Sequence, residues 1–312
     1  MQIVRHTDTH ALMLGRSVVT MGNFDGIHLG HQALICGAVN DARRLQVPSV
    51  VLTFEPHPLR VLAPDRAPKM LLSHKDKMEL LRALSVDIVV IQNFDLQFAN
   101  IVAEDFVRGV LLELLKVKKI WVGRDLRFGR ERKGTVDHLI HWGVDLEFDV
   151  GVVEPILVDG ARVSSSRIRQ LVVEGRVDAA KALLGRYHFV SGRVISGHRR
   201  GRELGFPTAN IASRTEVLPA DGIYATLFHL GERTLHSVSS VGLNPTFGAG
   251  PRTVESYILD FDEDIYGASV KLAFVKRIRD ERKFASIEEL ITQIRGDVIS
   301  AQTVFAGAER AG

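Results

Sequence analysis

The sequence predicts an α/β amino-terminal half with a parallel sheet, followed by an antiparallel β-barrel closed by one terminal helix. Three observations carry this reading. Up to about residue 185, short apolar runs alternate with amphipathic stretches, as they do where strands cross through helices to parallel neighbours. Beyond about residue 187, runs with strand character follow one another directly, separated by Gly, Pro, Asn and Asp. The chain has 312 residues, 46% hydrophobic and 25% charged, enough for two domains of ordinary size with a core each. The expected domains are residues 1–185 and 186–312.

In the first half, residues 17–21 read as a strand, 31–45 as a helix and 49–54 as a strand rich in β-branched residues. Residues 73–84 read as a helix with Asp76 placed for a capping box, and 86–91 as a strand. Residues 103–115 read as an α-helix, because Phe106, Val107, Val110, Leu111, Leu114 and Leu115 share a face at that period; 119–122 is again a strand. In the second half the strands are 189–195, 223–230, 235–241, 253–261 and 270–278. Gly231-Glu232 stands where a tight hairpin belongs. A helix starts at Ser286, with Glu289 completing a capping box.

Lys and Arg number 40 against 37 Asp and Glu, a formal charge of +3, so nothing demands nucleic acid as a partner. The lone cysteine, Cys36, excludes an intrachain disulfide and suits a reducing compartment. It lies in an amphipathic helix and is expected to pack there rather than act as a nucleophile. The first residues lack the apolar core of a signal peptide, and no apolar run approaches the ~18 residues that span a bilayer. The expectation is a soluble, cytoplasmic protein with no membrane partner.

The strand at 17–21 runs into Gly22-Asn23-Phe24-Asp25-Gly26-Ile27-His28-Leu29-Gly30-His31. Glycines allow a backbone to approach phosphate, and a following helix offers free N–H groups and a positive dipole end. His28 and His31, three apart at the helix start, can present two imidazoles to a triphosphate attacked at its α-phosphorus. Alone, such a turn is better read as a tight turn with a capping histidine. A distant segment, Val163-Ser164-Ser165-Ser166-Arg167-Ile168-Arg169, puts hydroxyls and arginines at another helix start, where they suit phosphate oxygens. The pair resembles the G-x-H-x-G-H and I-S-S-T-x-x-R signatures of the nucleotidylyltransferase superfamily, with Ser166 where threonine is usual.

Between them lie Thr53-Phe54-Glu55-Pro56-His57-Pro58 and Val122-Gly123-Arg124-Asp125-Leu126-Arg127-Phe128-Gly129. With these segments the first half resembles the FMN adenylyltransferase domain of bacterial riboflavin kinase/FAD synthetases, a Rossmann-like nucleotidylyltransferase fold. The resemblance implies that Gly22, Asn23, Phe24, Asp25, His28, His31, Ser164, Ser165, Arg167 and Arg169 handle ATP. It implies a flavin contact for Phe54, Pro56, His57, Pro58, Asp125 and Arg127. Some relatives carry Asn where this chain has Asp125. Rival motifs do not fit. Gly129 and Gly134 have Walker-like spacing but Thr135 follows directly without the lysine, no G-x-G-x-x-G opens a helix, and His138 and His141 lack a third metal ligand.

The densest segment is Ser196-Gly197-His198-Arg199-Arg200-Gly201-Arg202-Glu203-Leu204-Gly205-Phe206-Pro207-Thr208-Ala209-Asn210. A basic, glycine-bearing loop suits polyphosphate, or is a solvated turn. Thr208 and Asn210, two apart in an extended strand, point to one face and can help hold Mg²⁺ with phosphate oxygens and water. This stretch resembles the G-R-x-L-G-F-P-T-A-N signature of riboflavin kinases. The segments 219–225, 241–247, 254–261, 265–267 and 279–284 fall in that family's order.

That resemblance implies nucleotide binding by Gly197, Arg202, Gly205, Pro207, Thr208 and Asn210, with Thr208 and Asn210 as metal ligands. It implies flavin binding by Gly222, Tyr224 and Arg279, and makes Glu255 the catalytic base. Read by itself, Glu255 is better taken as an outward-facing barrel residue; the motif context reverses that. Family strands often have Glu-Val-His where this chain has Glu255-Ser256-Tyr257, and Glu281 ranks second as a base. The implied enzyme makes FMN from riboflavin and ATP, then FAD from FMN and ATP with release of pyrophosphate. Its partners are small molecules, with a weak homo-oligomer left open. A chain with one activity, or a non-catalytic flavin sensor, are the alternatives. The presence of His28, His31, Arg169, Thr208, Asn210 and Glu255 weighs against both.

Overall fold

The computed structural model describes residues 1–5, 14–197, 201, 204–243 and 252–309. It divides into two compact units: residues 1–69 with 74–164, and 70–73 with 165–312.

The first unit is built on strands β1 (Gln2–Arg5), β2 (Ser17–Met21), β3 (Ser49–Glu55), β4 (Ile88–Asn93), β5 (Val117–Gly123) and β6 (Asp149–Val153). They form one sheet in the order β1-β4-β3-β2-β5-β6, parallel throughout. Helix α1 (Leu29–Leu45) follows β2, α2 (His74–Ala83) follows β3, and α3 (Val136–Asp145) precedes β6. Strands buried on both faces need apolar runs, and β2 is buried along its whole length. The core joins Val19, Val50, Leu52, Val90, Ile120 and Val122 to Phe106, Leu111 and Leu115.

The expected helix at 103–115 differs in kind. A single α-turn, Ala103–Asp105, leads into a π-helical stretch, Phe106–Leu114, and Leu115 N–H bonds the carbonyl five residues back, Val110 O, at 3.0 Å. The wider turn brings Phe106, Val107, Leu111 and Leu115 inward and leaves Val110 and Leu114 half-buried. Cys36 also departs from expectation: α1 buries Ile35, Ala38, Val39 and Ala42, and Cys36, turned about 100° from Ile35, is exposed.

The second unit opens with helices α4 (Ser165–Val173) and α5 (Val177–Leu184), then strands β7 (His188–Ile195), β8 (Thr208–Ser213), β9 (Gly222–Leu230), β10 (Arg233–Leu243), β11 (Arg252–Ile258) and β12 (Ser269–Arg279). They close into a barrel ordered β7-β8-β11-β10-β9-β12, every pairing antiparallel. Gly231-Glu232 makes the β9–β10 turn, with Gly231 at φ +59°. Tyr224, Phe228, Val241, Val254, Ile258 and Phe274 fill the interior together with Val177 of α5. Helix α6 (Ile287–Glu309) lays Ala301 and Phe305 on Ala225, Val238 and Val275 outside the barrel. Its start is capped as expected: Glu289 N–H donates to Ser286 Oγ at 3.2 Å, and the Glu289 carboxylate accepts from Ala285 N–H at 3.0 Å.

Candidate active sites

In the first unit the chain runs from β2 through β3 to β4 on one side and resumes with β5 on the other side of β2. Strand order therefore reverses between β2 and β5, and in open parallel sheets ligands bind beyond the carboxyl ends at such a point. Gly22 follows β2 there, and Asp125 lies just past β5.

The turn after β2 is tightly made. Phe24 and Ile27 take left-handed backbone, φ +50° and +39°, which side chains other than glycine adopt only under constraint. Both side chains are buried, as is Asp25. His28 caps α1, its Nδ1 accepting from His31 N–H at 3.3 Å. The two rings stack with centroids 3.7 Å apart, and Phe24 meets His31 edge-on at 5.2 Å. Burial first, then the neighbouring His28 and Lys77, hold His31 well below its ordinary pKa. Asn23 lies 3.3 Å from His57 Nε2, and His57 caps the short helix Pro58–Leu62 through Nδ1. Asn23 and His57 thus tie the glycine turn to the proline-rich loop. Phe54 packs edge-on to Phe94 at 5.9 Å and against Phe98 at 6.0 Å.

Sequence reasoning missed Lys77. From α2 its ammonium donates to Asn23 O at 3.2 Å and Thr53 Oγ1 at 3.3 Å. A basic residue in a helix reads as solvent-facing, so only its place beside buried Asp76 and Met78 could have signalled it. Asp125 pairs with Arg162 at 2.5 Å, both half-exposed, so its charge is locally matched. Arg127 is exposed on the short strand Arg127–Phe128 and donates to Leu126 O. Ser164 directly precedes α4, and Ser165, Arg167 and Arg169 lie on its first turns, confirming a helix start. That helix groups with the second unit.

In the barrel, β8 pairs with β11 so that Asn210 opposes Glu255 and Thr208 opposes Tyr257. Ala209, Ile211, Val254 and Ile258 point into the core, so alternation puts Thr208, Asn210, Glu255 and Tyr257 on the outer face. Thr208 Oγ1 donates to Glu255 Oε2 at 3.4 Å. Gly197 and Gly201, the described glycines before β8 ahead of Gly205, lie close to this face. A Cβ on Gly197 would overlap the Asn210 amide, and one on Gly201 would come within 3.5 Å of Thr208 Oγ1. Gly201 O takes both Leu204 N–H and Phe206 N–H, Gly205 turns at φ +84°, and Phe206, just before Pro207, packs edge-on to Tyr257 at 5.4 Å. Arg202 lies outside the described residues, as do His198, Arg199, Arg200, Glu203 and the 244–247 segment.

Glu255 continues across the barrel to Ser240, Ile223 and Arg279 in register. Ser240 Oγ donates to Glu281 Oε1 at 3.2 Å, so Glu281 adjoins this row, its carboxyl pushed up chiefly by burial. Gly242 makes room for it, since a Cβ there would overlap the carboxylate. The Arg279 guanidinium is held bidentately by buried Asp297 of α6, at 2.8 and 2.7 Å. Gly222 is compressed between Arg279 O and Arg277. Tyr224 is a core residue, 0% exposed, its hydroxyl donating to Ala220 O at 2.6 Å.

A parallel sheet with a strained, histidine-bearing turn at its switch point, and a barrel with a carboxylate beside a hydroxyl and an amide on its outer face, fit a two-domain transferase acting on nucleotides. The comparisons specify it further, and the chain belongs to the bifunctional riboflavin kinase/FMN adenylyltransferase family. Residues 12–167 match the FAD synthetase family and residues 184–305 the riboflavin kinase family. The bifunctional riboflavin kinase/FMN adenylyltransferase of Escherichia coli K12 is 38% identical over 92% of each chain. The Haemophilus influenzae protein of that description is 35% identical over 98% of this chain and 99% of its own. A crystal structure described as a macrolide-efflux protein from Streptococcus pneumoniae superposes with a TM-score of 0.87 at 32% identity, covering 97% of this chain and 99% of that one. Among the described residues, no helix is long and apolar enough to cross a membrane.

Proposed function

We propose that the two chemistries are divided between the two sites, with the kinase reaction on the outer face of the barrel and adenylyl transfer at the carboxyl end of the parallel sheet. The enzyme makes FMN from riboflavin and ATP, and FAD from FMN and ATP with release of pyrophosphate. One observation carries the kinase assignment: strand register gathers Thr208, Asn210 and Glu255 on one face, with Thr208 hydroxyl and Glu255 carboxylate 3.4 Å apart.

In that site Glu255 accepts the proton of the riboflavin primary alcohol as its oxygen bonds to the γ-phosphorus and ADP leaves. Gly197, Arg202, Gly205 and Pro207 are assigned to the polyphosphate. Thr208 and Asn210 offer two neutral oxygens beside a carboxylate. That donor set fits Mg²⁺ brought by ATP, since this ion keeps phosphate and water oxygens and takes few from protein. When bound, Mg²⁺ offsets phosphate charge. Gly222 and Arg279 shape the flavin side, Arg279 through its hold on α6 and Tyr224 from within the core.

In the other site a phosphate oxygen of FMN bonds to the α-phosphorus and pyrophosphate leaves. His28 and His31 donate to the charge that develops there, next to the Gly22, Asn23, Phe24 and Asp25 backbone. Ser164, Ser165, Arg167 and Arg169 are assigned to ATP in the same reaction. Phe54, Pro56, His57, Pro58, Asp125 and Arg127 are assigned to the flavin. On these roles the adenylyltransferase domain is residues 1–185 and the kinase domain 186–312. We place the enzyme in the cytoplasm, where its substrates and a reduced Cys36 belong; a weak homo-oligomer is read by sedimentation over a range of concentrations.

The test supplies purified protein with riboflavin, ATP and Mg²⁺ and separates the flavins. FMN and FAD should both form. With His28→Ala combined with His31→Ala, FMN should accumulate while FAD formation stops. If that variant, still folded, lost FMN formation as well, one chemistry per site would be wrong.

A further inference from the structure

Among the described residues no carboxylate pairs directly with Lys77. Its ammonium bonds the carbonyl of Asn23, after β2, and the hydroxyl of Thr53, near the end of β3. Thr53 Oγ1 itself reaches Asn23 O at 3.4 Å. Burial pulls the lysine pKa down, while the charges of Asp25 and Glu55 oppose that effect. Withdrawing an ammonium from water is costly, and methionine, of similar length, would fill the same space without that cost. A fold retaining lysine there uses either its charge or its hydrogen bonds.

Both act on the strained turn. Asn23 O is the acceptor on which Lys77 and Thr53 converge; Phe24 follows it directly and Ile27 closes the turn, both in left-handed backbone. Such conformations are costly and persist only where their surroundings over-determine them. Beyond the turn, His31 Nδ1 is buried without a hydrogen-bond partner among the described residues. A lone pair is less costly in that position than an N–H, so the neutral ring carries its proton on Nε2, as a donor.

We propose that Lys77 is a positioning residue for adenylyl transfer, fixing the Asn23 carbonyl, and through it the Gly22–His31 segment, so that His31 is presented as a hydrogen-bond donor to a nucleotide phosphate. The inference rests on the assignment of His28 and His31 to that reaction. The charged groups facing His31 are His28 from the helix start and Lys77 from α2. Behind Lys77 stand Asp25 and Glu55, the latter contacting Arg5 at 3.1 Å and His74 at 3.5 Å. A proton on His31 would put a second cation beside Lys77 and against the stacked His28 ring. Acid should therefore silence the site.

The test uses the full chain with Lys77→Met and Lys77→Arg, measuring FAD formation from FMN across pH and riboflavin phosphorylation in the same preparations. Lys77→Met should lower kcat for FAD formation about 100-fold, the scale of a small misplacement of reacting groups, with phosphorylation unchanged. A nearby cation lowers a histidine pKa, so its removal raises that of His31. The acid limb of the FAD profile should then move to higher pH in Lys77→Met and stay in place in Lys77→Arg. A packing role alone would lower kcat without moving the limb. Wild-type kcat in Lys77→Met, or a loss with an unmoved limb, overturns the proposal. Should Lys77→Met fail to fold, Lys77→Gln, which keeps a donor without the charge, is read the same way. His31→Ala separates the two levels. If it makes FAD at the wild-type rate, the site assignment falls; if it is inactive while Lys77→Met is not, only the role of Lys77 falls.

Discussion

At the carboxyl end of β2 the polar groups come from one continuous stretch, Gly22 to His31, bent by left-handed residues and pinned from below by Lys77. On the barrel they come from two strands far apart in sequence, and only the pairing of Asn210 with Glu255 brings them together. The first arrangement stores strain in a loop and spends packing to hold it. The second needs no strained residue among Thr208, Asn210 and Glu255, because a closed ladder already fixes each Cα relative to the next. Two chemistries with little covalent role for the protein thus reach preorganisation by different routes.

The largest expected effect tests the barrel side. Glu255→Gln keeps the shape and a hydrogen-bond acceptor for Thr208 but removes the base. It should slow riboflavin phosphorylation about 10³-fold, within the range for a lost general base, while FMN supplied from outside is still converted to FAD. Flavin separation after incubation with each substrate reads both. A matching loss of FAD formation would break the division between the sites.

The contrast between turn and ladder also explains what could be read from sequence. The Gly22–His31 motif was legible because its parts are neighbours in the chain. So were the Gly231-Glu232 hairpin and the Ser286–Glu289 cap. That Thr208 and Asn210 share a face followed from period two alone; that it is the outer face did not. Which residue opposes Asn210 did not, since register between distant strands is set by closure of the whole barrel. Lys77 was illegible for a similar reason: its partners, Asn23 O and Thr53 Oγ1, belong to two other elements. The π-helical stretch at 106–114 escaped because the same apolar residues satisfy an α-period. Helices α4 and α5 carry no mark of grouping with the barrel; Val177 joins its core only once the barrel exists.

Each unit also holds a histidine whose pKa is lowered chiefly by burial, and these sharpen the comparison. His188 Nε2 lies 3.2 Å from Val217 O, a bond that satisfies its proton, whereas His31 Nδ1 is buried with no hydrogen-bond partner among the described residues. Burial is the main cause that brings His188 down to about 4. Between that value and the ordinary 6.5 the unfolded chain binds a proton that the native state refuses, so stability falls as pH drops through this window. The loss should reach about 3 kcal/mol near the folded pKa. His188→Gln should shrink the drop in melting temperature between neutral pH and pH ~4.5 without changing FAD formation from FMN at pH 7. An undiminished drop would mean that other buried groups carry the acid sensitivity.

Gly197 tests how closely the barrel site depends on its loop. A Cβ there overlaps the Asn210 amide, so Gly197→Ala must move either loop or amide. Phosphorylation should fall about 30-fold, less than for the missing base because the reacting groups are displaced rather than removed. FAD formation from FMN should be unaffected. Equal phosphorylation by the variant would mean that Asn210 is not held by this contact.

The smallest effect concerns Asp125, the one acidic side chain among the groups assigned to the flavin. Its partner Arg162 neutralises it at the surface, where both side chains are half-exposed, and exposed pairs contribute less than about 1 kcal/mol. Asp125→Asn should therefore leave the melting temperature nearly unmoved and phosphorylation of riboflavin unchanged. If the loop after β5 touches FMN, as its place at the switch point argues, removal of the Asp125 charge alters the field that the FMN phosphate meets. KM for FMN should then fall in low salt and return toward wild type as salt screens the charge. A KM indifferent to both substitution and salt would make this loop scaffolding, and the flavin would have to be held from the Phe54–Pro58 side alone.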